Sequence, residues 1–279
     1  MTKTIVRIVG LLAFLAGSRM AQATYPDAVL ANSPVQYLRF EESPKSNAGT
    51  ATDSSGNSHS GTYAAAAGGV HAGNIDTANG AVDRGVILNG TTSAQEYVNL
   101  PAFTTVSAPQ FSIEMWLKPD SLASAPGTFQ ALYAADAFSP NNLHFNILDG
   151  DKLQFALSGQ TQPAPSLVTM GAVAGAWNYF VVTRDTTAGT IKYYLNGQLK
   201  NTFTGTVTTP VSIGVAASLG RYSGDTARNF QGSIDEFALY NTALSDAQIA
   251  DHFGATIPEP SSVALLALGG LLLWRRKAA

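Results

Sequence analysis

The sequence predicts an all-β chain: a two-sheet antiparallel jelly-roll sandwich with one short C-terminal helix, set between two targeting segments. Three observations carry this. Across residues 29–253, apolar side chains recur at period two between turn residues, and helical periodicity is nearly absent. There is no cysteine, so the domain has to be held by a hydrophobic core. Only 13% of residues are charged, against about 25% in an ordinary soluble domain, so the surface is built mainly from Ser, Thr, Asn, Gln, Gly and Ala.

Residues 1–23 have a basic start with Lys3 and Arg7, an apolar run over residues 8–17, and a small-x-small site at Ala21-Gln22-Ala23. This is the pattern of a secretory signal peptide, cleaved after Ala23. Ten apolar residues reach about 15 Å as a helix, half of a bilayer core of about 30 Å, which speaks against a membrane span. The folded domain is expected over residues 24–256.

Within that domain, Phe111, Ile113, Met115 and Leu117 alternate with Ser112, Glu114, Trp116 and Lys118, a half-buried strand stopped by Pro119-Asp120. Residues 144–148 and 152–157 read as a hairpin around Asp149-Gly150-Asp151. Residues 177–184 are apolar on both faces and predict a central strand. Ile191, Tyr193 and Leu195 form one face of the next strand, and Asn196-Gly197 predicts a type I′ turn, where both residues need positive φ. Residues 198–203 return from it. The one helix begins at Ser245, whose spacing to Gln248 makes a capping box; Ile249 and Phe253 share a face and Gly254 can end it. Residues 64–69 and 73–80 form a small-residue loop with no assigned role, and internal repeats are absent.

The C-terminal segment, residues 257–279, runs Ile257-Pro258-Glu259-Pro260, then fourteen uncharged residues over 261–274, then Arg275-Arg276-Lys277. A basic cluster following an apolar segment stays in the cytoplasm, so the preceding domain faces outward. Fourteen residues reach about 21 Å as a helix, which suits a transient or processed anchor better than a permanent span. Pro258, Glu259 and Pro260, the apolar run, and Arg275, Arg276 and Lys277 together resemble the PEP-CTERM sorting signal of Gram-negative bacteria. That resemblance implies export through the secretion machinery and cleavage by an exosortase-type membrane protease. The protein would then be displayed or released at a cell surface or extracellular matrix where exopolysaccharide is made.

From Asp27 to Glu259, ten basic residues stand against all nineteen acids, a net charge of −9. This argues against nucleic acid or anionic lipid as partner, since both need clustered Lys and Arg.

Five stretches, in order, resemble the LamG-like branch of the concanavalin A-like lectin/glucanase superfamily. They are residues 35–42, Asp53-Ser54-Ser55-Gly56-Asn57, residues 111–119, residues 177–199, and residues 232–240 with Leu244-Ser245 behind. The resemblance implies the jelly roll, but this fold carries hydrolases, lectins and adhesion modules alike. Glucanases of the superfamily place catalytic carboxylates at alternate positions of one strand, and retaining chemistry needs them about 5–5.5 Å apart. No such strand is present. Asp235 and Glu236 are adjacent, so in an extended strand they point to opposite faces; Glu41 and Glu42 share that problem, and Glu114 has no acidic neighbour on its strand. None of His59, His71, His144 and His252 belongs to a nucleophile-elbow or zinc-helix motif.

The expectation is therefore a non-catalytic surface or matrix protein whose domain binds polysaccharide or a surface partner. A structural matrix protein without a specific ligand is the alternative, and a glycoside hydrolase the weaker one. Trp116, Tyr133, Phe138 and Tyr222 are the candidate sugar-stacking aromatics, each of which could equally be core. The resemblance also implies a Ca²⁺ site, with Asp235 on the last strand and Glu41, Asp53, Gly56 and Asn57 from the N-terminal part. Ser60 departs from that pattern by standing where related sequences often carry an acid. The competing reading of Asp53 to Asn57 is an Asx turn satisfying its own backbone.

Overall fold

An alternating strand has one apolar face to bury, and a chain of many such strands buries them by stacking two sheets. The computed structural model describes residues 24–42, 47–65, 85–91, 95–122, 129–135, 142–148, 150–157, 167–205, 207–222 and 226–255, and shows this arrangement. The chain opens with helix α1 (Tyr25–Ala31), then strands β1 (Gln36–Leu38), β2 (Thr50–Ala51), β3 (Gly61–Ala64), β4 (Val86–Leu88), β5 (Tyr97–Leu100) and β6 (Val106–Ala108). There follow β7 (Gln110–Pro119), β8 (Phe129–Ala135), β9 (Leu143–Leu148), β10 (Lys152–Leu157), β11 (Leu167–Thr169) and β12 (Asn178–Asp185). The rest are β13 (Thr190–Leu195), β14 (Gln198–Thr204), β15 (Val211–Ile213), β16 (Ala217–Leu219), a 3₁₀ turn at Thr226–Arg228, β17 (Gly232–Tyr240) and helix α2 (Asp246–Ala255).

The first sheet has the order β1-β17-β7-β12-β13-β14, with β4 also paired to β17; the second has the order β11-β10-β9-β8-β16-β5-β3-β2. A small β15-β6 pair stands apart. Ile113, Met115, Leu117, Phe180 and Val182 of the first sheet meet Phe145, Ile147, Leu153 and Phe155 of the second in one core. The 144–148/152–157 hairpin and the doubly buried strand at 178–185 stand where the sequence predicts them. The Asn196-Gly197 turn does too, with φ of 50° and 73°. A Cβ at Gly197 would lie 2.9 Å from Phe253, so this turn also tucks against α2.

Strand β7 departs from the half-buried expectation: Ser112, Glu114 and Trp116 are all buried, as are their core-facing neighbours. The cause is a cover that local periodicity does not encode. Helices α1 and α2 lie on the outer face of the first sheet, packing Tyr25, Val29, Ile249 and Phe253 against Trp116, Tyr179, Tyr194 and Tyr240. Helix α2 begins as expected, with Ser245 Oγ accepting from the Gln248 amide at 3.3 Å and Gln248 Oε1 accepting from the Ser245 amide at 2.9 Å. Helix α1 is an addition to the expected single helix. It has its own capping box between Thr24 and Asp27, and a proline in its first turn.

A buried polar knot fastens this cover. Glu114 has no exposure. Its carboxyl group accepts from Tyr179 Oη on one neighbouring strand and from Tyr240 Oη on the other, the latter at 2.5 Å. His252 Nδ1 of α2 lies 2.9 Å away and donates to it. Asn32, closing α1, stands 2.8 Å from His252 Nε2 and accepts from the Gln248 amide group of α2. A buried carboxyl group without such donors would be costly; with them it ties both helices to the middle of the sheet.

Strand β17 holds a second departure. The register against β7 shifts between Asp235 and Ala238, and Glu236 has φ of 50°. This bulge breaks the expected alternation of Asp235 and Glu236. Glu236 accepts from Tyr37 Oη and from Arg39 Nε at 3.3 Å, and Tyr37 belongs to the cluster beneath the helices.

The knot has a pH signature. Burial pulls the His252 pKa down, but the bond and charge of Glu114 and the Ala28 carbonyl outweigh it, leaving the pKa above its ordinary value. A raised folded value means that this stabilisation is complete below about pH 6.5 and is lost as pH rises through the folded value. Thermal melting of the wild type is expected to lose stability across that rise, and His252→Gln to flatten the dependence. Parallel pH profiles for the two proteins would refute the assignment.

Candidate functional site

With one outer face sealed by helices, the outer face of the second sheet is the other broad surface the sandwich presents. Its side chains follow from register. Ala156, His144, Ala134, Ser218, Asn99, Thr62 and Thr50 are successive partners across β10, β9, β8, β16, β5, β3 and β2. A second row holds Gln154, Asn146 and Ala131, and a third Lys152, Leu148 and Phe129. Their strand neighbours Leu153, Phe155, Phe145, Ile147, Leu219, Val98 and Leu100 all point into the core, so these rows face outward. The result is a floor of small and amide-bearing side chains, in which Ala131, Ala134, His144, Asn146 and Ser218 are buried and Gln154, Asn99, Thr62, Thr50 and Lys152 reach the surface.

Aromatic rings stand at its edge. Tyr222 meets Phe129 edge-on at 5.2 Å and His144 edge-on at 5.5 Å between ring centroids. The Arg228 guanidinium lies 4.6 Å from the Phe129 ring centre and 5.5 Å from that of Tyr222, and Arg221 lies 4.4 Å over Tyr97. The segment is fixed by the Tyr222 amide, which donates to Asn229 Oδ1 at 3.1 Å, while Asn229 bridges to Ala131 of β8. His144 Nε2 donates to the Ala135 carbonyl at 3.1 Å, and burial holds its pKa below the ordinary value, so the ring is neutral near pH 7. Asn146 is 1% exposed. Its Nδ2 donates to Gln154 at 3.4 Å, while its buried Oδ1 has no partner among the described residues. Stacking surfaces, amides and a neutral imidazole suit hydroxyl-rich ligands. None of the three rows contains a carboxylate.

Of the four expected aromatics, only Tyr222 stands at this face. Trp116 is 5% exposed because it packs among Tyr25, Tyr179 and Phe253 beneath the helices. Tyr133 is 3% exposed because it stacks on Phe237 inside the sandwich, 6.1 Å between centroids. Both are core residues. Phe138 lies outside the described residues, as do Ala21, Ala23, Pro258, Glu259, Pro260, Arg275, Arg276 and Lys277. Sequence reasoning missed Phe129, His144, Asn146 and Gln154. The signal was present, since His144 and Asn146 alternate with Leu143, Phe145 and Ile147. A groove of about 440 Å³ between α1 and α2, lined by Ala28, Ala31 and Ala255 among others, owes its polar edge to Asn32, Gln248, Asp251 and His252. Asn32 and Gln248 are engaged with each other, and His252 with Glu114.

The residues expected to hold Ca²⁺ make the following contacts in the structure. Asp53 Oδ1 accepts from the Tyr37 and Ser55 amides, each at 2.9 Å, and Oδ2 from the His59 amide and Ser55 Oγ, each at 2.8 Å. Ser60 Oγ closes the turn by accepting from the Asp53 amide at 3.1 Å. Asn57 Nδ2 donates to the Pro34 and Val35 carbonyls, Gly56 supplies a φ of 86°, and Glu41 pairs with Arg39 at 3.3 Å. Asp235 Oδ1 accepts from the Glu236 amide at 2.8 Å. Among the described residues no three His, Asp or Glu side chains gather in a way that could hold a metal. The arrangement is that of an Asx turn tying β1 to the 53–60 loop. Asp53→Ala is expected to cost about 2–3 kcal/mol, by the same amount in Ca²⁺ and in chelator. A melting temperature that rises with Ca²⁺ in the wild type alone would show a cation in the turn instead.

Comparison with known proteins places this geometry. A family model described as the concanavalin A-like lectin/glucanases superfamily matches residues 89–250, more than half of the chain. The PEP-CTERM protein-sorting motif matches residues 256–277 and marks an exported protein with a C-terminal membrane anchor. No helix among the described residues is long and apolar enough to cross a membrane. No curated protein matches the sequence. Among solved structures, the fold is similar to domain 4 of a GH43 extracellular arabinanase from Geobacillus stearothermophilus, in complex with arabinotriose. The TM-score is 0.54 at 25% identity, covering 79% of this chain and 98% of that one. It is also similar to the botulinum neurotoxin serotype D binding domain, with a TM-score of 0.56 at 16% identity, covering 81% of this chain and 52% of that one. A serotype D ligand binding domain in complex with N-acetylneuraminic acid gives 0.57 at 13% identity, covering 83% and 52%. This chain thus spans about half of those toxin domains, and at such identities they share the fold alone. From its matched residues and its two-sheet architecture, the chain belongs to the concanavalin A-like lectin/glucanases superfamily and carries a C-terminal PEP-CTERM protein-sorting motif.

Proposed function

We propose that the outer face of the second sheet binds an extracellular polysaccharide without cleaving it, on a protein delivered to the cell surface or matrix by its sorting motif. The carrying observation is the joining of the half-buried Tyr222 and Phe129 rings to the half-buried amides of Gln154 and Asn99, with His144, Asn146 and Ser218 buried behind them. Sugar rings present C–H faces that stack on aromatics and hydroxyls that pair with amides. The arabinanase domain solved with arabinotriose supports this use of the fold.

The non-catalytic reading rests on where carboxyl groups of the described residues lie. Glu114, Asp235 and Glu236 are buried in the first sheet, away from the open face. Glu41 pairs with Arg39, and Glu42 accepts from Tyr63 Oη at 2.6 Å and the Thr52 amide at 2.6 Å. An exosortase-type protease is the partner that would read Pro258-Glu259-Pro260 and release the domain from its anchor.

Affinity electrophoresis of the full chain against a panel of plant and bacterial polysaccharides tests the reading. At least one polymer is expected to retard it, and Tyr222→Ala to weaken that retardation about tenfold, the effect of losing an aromatic anchor. Its melting temperature should change little, because Tyr222 is half-buried at the rim. Retardation by no polymer, or retardation indifferent to Tyr222→Ala, would remove the site.

A further inference from the structure

The open face differs in charge from the domain that carries it. From Asp27 to Glu259 the chain has a net charge of −9, yet the three outward rows contain no acid and include Lys152. Two guanidiniums stand over the rim rings, Arg221 on Tyr97 and Arg228 on Phe129 and Tyr222. Among the described residues, two acids beside these rows in sequence are turned to backbone amides, while Asp136, Asp149 and Asp225 lie outside the described residues. Glu96, next to Tyr97, accepts from the Asn89 amide at 2.9 Å, and Asp151, next to Lys152, accepts from the Gly171 amide at 2.6 Å. Arg221 is half-buried, and its one contact among the described residues is the Tyr97 ring. A guanidinium laid on an aromatic face keeps its N–H edge free, the geometry that takes a carboxylate in a paired bond.

We infer that the polysaccharide held here is acidic, a polymer of carboxylate-bearing sugars such as uronic acids, with Arg221 as the carboxylate partner beside the Tyr222–Phe129 stacking edge. This rests on the polysaccharide reading of the same face and adds the chemical class. Placing the fixed positive groups on one face of an otherwise acidic domain also orients approach: the rest of the surface repels a polyanion and this face attracts it.

Titration calorimetry of the full chain compares polygalacturonate with the same polymer after reduction of its carboxyl groups to alcohols. The acidic polymer is expected to bind at least tenfold tighter, with the difference shrinking as salt is raised. Arg221→Gln should bring the acidic polymer down to the level of the reduced one and leave the reduced polymer unchanged. Arg221→Lys should fall between. Melting temperatures of both variants should match the wild type, since Arg221 supports no other side chain by hydrogen bond among the described residues. Equal affinity for both polymers, weakened in both by Tyr222→Ala, would overturn the acidic class while the polysaccharide reading stands. Binding of neither polymer, with neutral glycans also unbound, would overturn both.

Discussion

Glu114 is the point on which the arrangement of faces depends. It lies on the central strand β7 with no exposure, and donors from β12, β17 and α2 converge on its carboxyl group. Helix α1 joins through Asn32, which meets His252 and Gln248. Such a group is tolerable in the interior only when its donors arrive together, so strands and helices must be assembled at once for it to be satisfied. The aromatic layer of Tyr25, Trp116, Tyr179 and Phe253 fills the space around it. One sheet thereby loses its open face.

That loss sets the polarity of the molecule. Helix α1 starts directly after the expected cleavage position, and α2 ends directly before the sorting motif at residue 256. Both ends of the folded domain therefore leave from the sealed side of the sandwich. The polar rows of the second sheet lie on the opposite side of the sandwich from these two helices. A sandwich of two sheets has two outer faces; here one is closed by helices, and the proposed binding surface is on the other.

Much of the first sheet was legible locally. The alternation over 111–117, the doubly apolar strand near 178–185, the Asn196-Gly197 turn and the Ser245–Gln248 cap each encode their own geometry within a few residues. What was not legible depends on contacts between distant parts of the chain. Trp116 sits at a position that alternation marks as outward, and it is buried because helices from both ends of the domain cover it. Tyr133 looks like any strand aromatic until the pairing of β8 turns it toward Phe237. The bulge at Glu236 redirects a carboxylate that simple alternation would have sent elsewhere. Asp53 could serve a cation or its own turn on sequence grounds, and the amides of Tyr37, Ser55 and His59 that donate to it come together only in the fold. In the second sheet, His144 and Asn146 alternate with the core residues Leu143, Phe145 and Ile147, but their role was missed because it depends on neighbours brought in from Ser218, Asn99 and Tyr222.

Hydrogen–deuterium exchange of the full chain, with and without a polysaccharide that retards it, separates the two faces in one measurement. Added protection is expected along Tyr97–Leu100, Leu143–Leu148, Lys152–Leu157 and the 220–222 segment, with Tyr25–Ala31 and Asp246–Ala255 unchanged. Protection concentrated on those two helices, with the second sheet unaltered, would show that the sealed face is the one that binds, and the division of roles between the faces would be wrong.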